Sequence, residues 1–241
     1  MARTGFFHHF GTFFLFAATV LLIITDISAP VVSNISLLKV ELGHDRSRLF
    51  HNDDNGIPVL TFGTFGYCTQ DLQSSGSKAC SNSMIGYDPV MVIEQYVDGT
   101  SFSDYAHSTS RALTKVMVLH PIATGLAFIS FFLALGAGVV GSFLAALGSF
   151  ITFLVILVVL ITDFVSFAIV KSAVNDSSRD NVSASWGAAS WTTLVAAILC
   201  LFATVILIFT CCSARLHRRR ESHYRDTKLP PASTPRRRRW F

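Results

Sequence analysis

The chain has 241 residues, of which 51% are hydrophobic and only 14% are charged, and 21 of them are phenylalanine. Soluble domains carry about 25% charged residues, so this composition excludes an ordinary soluble protein and indicates a membrane protein. The net charge of +4 averages over very different segments and gives no reason to expect a nucleic-acid partner.

The first predicted element is a membrane-spanning helix near residues 8–28. Its core is apolar apart from three threonines and Asp26. A cleaved signal peptide is the alternative, because one basic residue precedes the apolar run and the small residues of "ISA" follow it. The run is at the upper length for a signal sequence and Pro30 comes directly afterwards, so we favour a span.

A long polar segment at residues 29–113 contains Cys68 and Cys80. The stretch VLTFGTFGYC, which ends at Cys68, favours β structure through its aromatic residues, and the later QSSGS has turn composition. In an oxidising compartment the two cysteines are predicted to form a disulfide across a β-hairpin. The closed loop of about 13 residues would contribute roughly 3 kcal/mol. Two free thiols on a mobile loop are the alternative.

The segment from Gly43 to Gly56 gathers two histidines and three aspartates. Such a cluster could bind a metal or respond to pH, but its spacing fits no ligand template, and NDDNG is an ordinary turn sequence. We therefore predict a solvated loop and no metal site. The chain also contains no HExxH, GxSxG, GxxxxGK(S/T) or CxxC motif, so we predict neither an enzyme nor a cofactor.

Residues 116–170 are 55 residues with a single acid, Asp163, and a single histidine, His120. As one helix this segment would measure about 80 Å, against a hydrocarbon core of about 30 Å. We therefore predict two spans, near residues 114–137 and 145–170. The turn between them is expected in the glycine-rich stretch LGAGVVGSFLAALG.

A fourth span is predicted at residues 188–212, with Trp186 and Trp191 placed for an interfacial aromatic belt. After it, residues 213–241 carry ten basic residues and two acids. The positive-inside rule places this basic tail in the cytoplasm. Four spans then place the N-terminus there too and residues 29–113 outside. Three N-x-S/T sequons support this topology, because all fall in segments predicted outside; they are Asn34, Asn175 and Asn181.

The basic tail is predicted to be disordered and to contact membrane lipids. Its arginines are candidates for binding anionic lipid, at about 1 kcal/mol each, and a topological role alone is the alternative. These arginines are Arg215, Arg218, Arg219, Arg220, Arg236, Arg237, Arg238 and Arg239. Cys211 and Cys212, beside the tail, are candidates for S-palmitoylation, with unmodified thiols as an equal alternative.

Two acids and a histidine fall within or near the predicted spans: Asp26, His120 and Asp163. Asp163 lies deeper than Asp26, where an unpaired acid costs about 2.5–3.5 kcal/mol, and His120 is a candidate partner. One interpretation is a proton-responsive group, because buried carboxyl and imidazole groups can exchange protons near neutral pH. A hydrogen bond that fixes helix packing is the other. We favour it because polar residues in spans commonly have that role.

Several stretches resemble the fungal PalI family of the claudin-like superfamily. The G-x-x-G-Y-C…C pattern is moderately specific, and in combination with LHPIATGLAF it is strong. The stretches lie within about residues 6–212 and read HHFGTFFLFAATVLLIITDISAPVV, LLKVEL, TFGTFGYC, IGYDP, LTKVMVLHPIATGLAFISF and LVVLITDFVSFAIV.

The resemblance implies a fungal plasma-membrane protein without enzymatic activity. Named PalI members act in ambient-pH signalling as small partners of a larger polytopic pH sensor. Relatives in the superfamily organise cortical membrane domains and affect the cell wall. PalI-type members often carry a long cytoplasmic tail, whereas about 29 residues follow the last predicted span here. That difference leaves membership intact and counts against a place in the pH pathway.

We therefore expect a claudin-like α-helical membrane protein: a left-handed four-transmembrane-helix bundle with a small, disulfide-stapled, β-rich extracellular loop domain. It is expected to bind other membrane proteins laterally, among them a pH sensor, and lateral homo-oligomers are a further candidate. A structural organiser is the alternative, and a channel is less favoured because the spans hold few ionisable residues. The predicted segments are 1–28, 29–113, 114–170, 171–187, 188–212 and 213–241.

Overall fold

The computed structural model describes residues 6–41, 58–71, 78–96, 101–136, 139–177 and 183–228. The helices in these ranges are α1 (Phe6–Asp26), α2 (Pro89–Tyr96), α3 (Asp104–Val116), α4 (Leu119–Leu135), α5 (Val139–Ser177) and α6 (Ala188–Lys228). The strands are β1 (Leu38–Glu41), β2 (Pro58–Phe62), β3 (Tyr67–Asp71), β4 (Lys78–Cys80) and β5 (Ser183–Trp186).

Four stretches in the described ranges contain a helix long and apolar enough to cross a membrane, as predicted; they are His8–Asp26, Asp104–Leu135, Val140–Ser172 and Ala188–Ser213. In the second stretch α4 is the apolar part, and the polar α3 precedes it. Helices α1 and α5 each pack against both α4 and α6, which closes a four-helix bundle. Small residues such as Ala127 and Ala203 line its interior beside Leu15 and Leu22. Small side chains let the helix backbones approach closely, and close packing drives association in lipid, where the hydrophobic effect between helices is absent.

A five-stranded antiparallel sheet lies at one end of the bundle, here called the sheet end. Its strand order is β4-β3-β2-β1-β5. The sequence predicted only a hairpin at Cys68; the structure adds β1 and also β5, which comes from the second polar segment. Strands β1 and β5 pair so that Leu38 opposes Trp186. The two polar segments therefore build one sheet.

The sheet, α2 and α3 form what we call the sheet domain, and its core continues into the bundle. The buried side chains of this core include Leu60 and Phe62 on β2, Ile93 on α2, and Phe167 and Val170 on α5. Burying an aromatic or aliphatic side chain stabilises by about 1.5–3 kcal/mol. The sheet domain is thus attached to α5 by shared packing as well as by its chain connections.

The TFGTFGYC stretch forms the turn between β2 and β3 where this turn meets the end of α1. The Gly63 N–H donates to the Gly66 carbonyl at 2.8 Å. A Cβ atom at Gly63 would collide with the backbone of Ala29. Glycine is required here because the two backbone segments approach too closely for a side chain.

The helix ends differ from the predicted boundaries. Helix α3 begins at Asp104, well before the predicted start of the second span, and α5 begins at Val139, so the turn after α4 is shorter than the glycine-rich stretch. Helix α6 runs through Lys228, whereas residues 213–241 were predicted to be disordered. The physical reason is local: the segment from residue 213 to Lys228 is rich in the helix former Arg and free of Gly and Pro.

Candidate functional site

The contact between His120 and Asp163 is the centre of the candidate site. His120 lies in the first turn of α4, and its Nε2 atom is 2.9 Å from Oδ2 of Asp163 on α5. The two side chains are only 1% and 2% exposed. Burying an unpaired ionisable group is costly, so each depends on the other. His120 was predicted as a candidate partner of Asp163, and the structure brings the pair together; proton exchange by the pair stays a prediction.

Asp26 joins this pair through Thr124. The Thr124 hydroxyl donates to Oδ2 of Asp26 at 2.6 Å. The same hydroxyl oxygen lies 3.1 Å from the carbonyl oxygen of His120, one turn earlier on α4. A hydroxyl has one hydrogen to donate, so the two acceptors compete for it. We call Asp26, Thr124, His120 and Asp163 the polar network; it connects α1, α4 and α5 at the sheet end.

The polar network leaves two acceptor atoms unpaired. Oδ1 of Asp26 and Oδ1 of Asp163 are buried and accept no hydrogen bond from any described residue. Buried polar atoms are paired in the great majority of cases. Protonation would remove the negative charge from a carboxyl group that is only half satisfied; that the network holds a proton stays a prediction. Within the ranges given above, no group of three or more His, Cys, Asp or Glu could hold a metal ion.

Tyr87 is a buried residue of the sheet domain whose hydroxyl responds to the charge of Asp163. Burial raises the pKa of its hydroxyl, and the charge of Asp163 raises it further. The neutral hydroxyl donates to the Gly63 carbonyl at 2.7 Å, and the Thr114 hydroxyl donates to the Tyr87 carbonyl at 2.5 Å. Tyr87 thereby joins the β2–β3 turn to α3.

A second polar cluster, in the sheet domain, escaped the sequence analysis. His107 on α3 lies between two acids, with Nδ1 2.9 Å from Oδ2 of Asp88 and Nε2 3.2 Å from Oε2 of Glu94. One sequence signal was available. Asp88 directly precedes Pro89, and an acid followed by proline is typical of a helix N-cap and the first residue of that helix. No local spacing connects Asp88 or Glu94 with His107, so their meeting follows only from the fold.

Cys68 and Cys80 form the predicted disulfide. They are register partners in β3 and β4, and their Cα atoms are 4.0 Å apart. The bond fixes β4, an edge strand, to the rest of the sheet. The pair therefore acts as a structural staple, as the sequence indicated.

The predicted modification sites differ in their position and in their exposure. Asn34 is exposed, Asn175 lies in the last turns of α5, and Asn181 falls outside the described residues. On α6, Cys211 is buried and Cys212 is exposed, so Cys212 is the accessible thiol of the two. Glycosylation and palmitoylation stay predictions.

The structure describes only some of the arginines predicted to bind lipid, and it does not describe the polar segment 43–56. Arg215 and residues 218–220 lie on the helical extension of α6. Residues 236–239 and the polar segment 43–56 lie outside the described ranges. Lipid contact by the arginines and a solvated loop at 43–56 therefore stay predictions.

Comparison with known proteins agrees with the resemblance found in the sequence. The sequence model of the SUR7/PalI family matches residues 7–203. The pH-response regulator protein palI/prr-5 of Neurospora crassa is 32% identical over 123 residues, which is 51% of this chain and 14% of that protein. The similarity thus spans a small part of the length of that relative.

Proposed function

The chain belongs to the SUR7/PalI family, and we propose that it is a non-enzymatic plasma-membrane protein that assists a larger polytopic sensor of external pH. The Neurospora crassa relative is named a pH-response regulator, which supports a role in the same kind of signalling. In the proposed topology the sheet domain lies outside the cell, and both ends of the chain lie in the cytoplasm.

The polar network is the observation that carries this proposal. It places two acids and one imidazole at the contact of three helices, where water is largely excluded. Gain or loss of a proton there changes the hydrogen bonds that join α1 to α4 and α4 to α5. The network therefore offers a physical route from proton concentration to helix packing, which a partner in the membrane could sense.

The partner is proposed to bind laterally to the apolar outer faces of the bundle. Aromatic side chains are exposed there: Phe13 on α1 is 60% exposed, and Phe132 on α4 is 53% exposed. These faces contact membrane lipids where no protein covers them. A second copy of this chain would use the same kind of surface.

Complementation of a deletion strain tests the proposal. Asp163→Asn removes the acid with little change in shape, and we expect normal surface delivery with loss of growth in alkaline medium. Thr162→Val is the matched control, because the Thr162 hydroxyl donates to the Val158 carbonyl of its own helix. Normal alkaline growth of the Asp163→Asn strain, at normal surface level, would contradict the role of the network. Affinity capture from the wild-type strain would identify the sensor.

A structural organiser of plasma-membrane domains or of the cell wall is the second candidate function. The exposed aromatic residues on α1 and α4 favour it, because the same faces suit self-association. Fixed cortical patches of tagged protein, together with a deletion phenotype that does not depend on pH, would favour the organiser. A defect confined to alkaline medium would favour the sensor partner.

A further inference from the structure

His107 differs from His120 in that solvent reaches it. Its side chain is 27% exposed, while those of Asp88 and Glu94 are 4% and 27% exposed. Both ring nitrogens face a carboxylate oxygen, at 2.9 Å for Asp88 and 3.2 Å for Glu94. The imidazole therefore bridges two acids at the surface of the sheet domain.

The bridge demands a protonated imidazole. A neutral imidazole has one N–H group and one nitrogen lone pair, whereas an ionised carboxylate can only accept hydrogen bonds. With the neutral ring, one of the two contacts would set a lone pair of His107 against a carboxylate oxygen. Only the imidazolium form donates to Asp88 and Glu94 at once, and charge-assisted hydrogen bonds of this kind are about twice as strong as neutral ones.

The two acids are held in position by the backbone. Oδ1 of Asp88 accepts hydrogen bonds from the N–H groups of Val90 and Met91 and so caps the start of α2. Oε1 of Glu94 accepts from the N–H of Phe102 at 2.6 Å. Each carboxylate thus has one oxygen fixed by the backbone and one turned to the imidazole. His107 adds the connection that joins α2 to α3.

Other charges near this bridge are few in the described ranges. The remaining titratable groups on α2 and α3 are Tyr96, Asp104, Tyr105, Arg111 and Lys115, and those on α5, which packs against α3, are Asp163, Lys171 and Asp176. Asp163 pairs with His120, and Lys171 lies with Nζ 5.7 Å from the centre of the Trp186 ring. The pKa of His107 is raised by its hydrogen bond to Asp88, with the charges of Asp88 and Glu94 adding to the effect and burial opposing it.

We infer that Asp88, His107 and Glu94 form a proton-binding clamp, which holds α2 against α3 when the imidazole is protonated and loosens when it is neutral. A raised folded-state pKa means that the contribution of the clamp is complete below the ordinary histidine value of about 6.5. That contribution is lost as the pH rises through the folded-state pKa. The clamp itself stands on this geometry; its use in pH signalling rests on the proposed function.

Hydrogen exchange of the purified full-length protein in lipid nanodiscs tests the clamp. The reporters are the amides of Val90, Met91 and Phe102, which donate to the two acids. After correction for intrinsic exchange, we expect their opening equilibrium in the wild type to be flat up to about pH 6.5 and then to rise by up to about tenfold per pH unit, the limit for release of one proton. It should level off above the folded-state pKa.

Two variants separate charge from packing. His107→Gln should be open at every pH, and His107→Lys, which stays protonated over this range, should be closed at every pH. The matched control is His9→Gln, which replaces an exposed histidine on α1, far from His107 in the sequence. The exchange profile of this variant should follow that of the wild type. A wild-type profile without a pH-dependent rise, or a His107→Lys profile that keeps it, overturns the clamp.

The same variants separate the clamp from its proposed use. If exchange shows the expected rise and a His107→Gln strain nevertheless grows normally in alkaline medium, the clamp stands and its part in signalling is refuted. If the wild-type exchange lacks the rise, the clamp is refuted whatever the growth phenotype. Should His107→Gln fail to fold, the wild type and His107→Lys decide the question between them.

Discussion

Removing His120 tests whether the buried pair carries charge. His120→Ala takes away the partner of Asp163 Oδ2, and Oδ1 already has none among the described residues, so the whole carboxyl group is stranded. Loss of one partner from a buried ion pair costs about 3–5 kcal/mol. Neutral hydrogen bonds between membrane helices average about 0.6 kcal/mol and reach about 1.7 kcal/mol. Because both side chains of the pair are almost fully buried, we expect the larger cost.

A double-mutant cycle measures this energy without the cavity that His120→Ala leaves. The cycle uses the wild type, His120→Ala, Asp163→Asn and the double variant, unfolded in mixed micelles by increasing amounts of a denaturing detergent. Asp163→Asn keeps an oxygen that can accept from Nε2–H, so it should destabilise much less than His120→Ala. The non-additive part of the free energies of unfolding is the coupling of the pair, which we expect to exceed about 2 kcal/mol.

A coupling below about 1.7 kcal/mol would refute the charged pair. It would instead assign the contact to a neutral hydrogen bond that fixes the packing of α4 on α5. That is the interpretation the sequence favoured, so the cycle decides between the two.

Three further predictions concern the sheet domain and the topology. Cys80→Ser should lower stability by about 3 kcal/mol in the chain-entropy model and reduce surface delivery; unchanged mobility on non-reducing gels would argue against the staple. Gly63→Ala should lower the free energy of unfolding by about 1–3 kcal/mol, because the added methyl group collides with Ala29. Gly125→Ala has open space around the added methyl group and should stabilise its helix by about 0.5–1 kcal/mol. Equal thermal shifts of the two variants would refute the steric argument. Asn34→Gln should remove one glycosidase-sensitive band shift if the sheet domain lies outside, and the absence of any shift in the wild type would contradict glycosylation at this position.

The spans and the disulfide could be predicted because their signals are local. A bilayer fixes the length of an apolar helix, so composition alone located four spans. The compartment predicted the pairing of Cys68 with Cys80, the only cysteines in the first polar segment. The helical extension as far as Lys228 was not predicted, although residues 213–228 include five arginines, which are good helix formers, and neither Gly nor Pro.

The sheet and the clamp could not be predicted because they depend on contacts between distant segments. LLKVEL, which contains β1, has the alternation of a strand, but nothing in the sequence says that SASW at β5 is its partner. Likewise, Asp88 and His107 are separated by a helix and a loop. The pairing of His120 with Asp163 was within reach, since both had already been placed near the same end of neighbouring spans.

The shared core gives a physical reason for the two proton sites to influence each other. Asp163 lies one turn before Phe167 on α5, and Phe167 packs in the same core as Val90 and Ile93 of α2. Loosening of the proposed clamp would free α2 and change the contacts of α5 from the sheet side. A changed proton count in the polar network would change the packing of α5 from the bundle side. Helix α5 is therefore the element through which we expect the two sites to be coupled, since coupling requires an element that both sites bias rather than a continuous path of contacts.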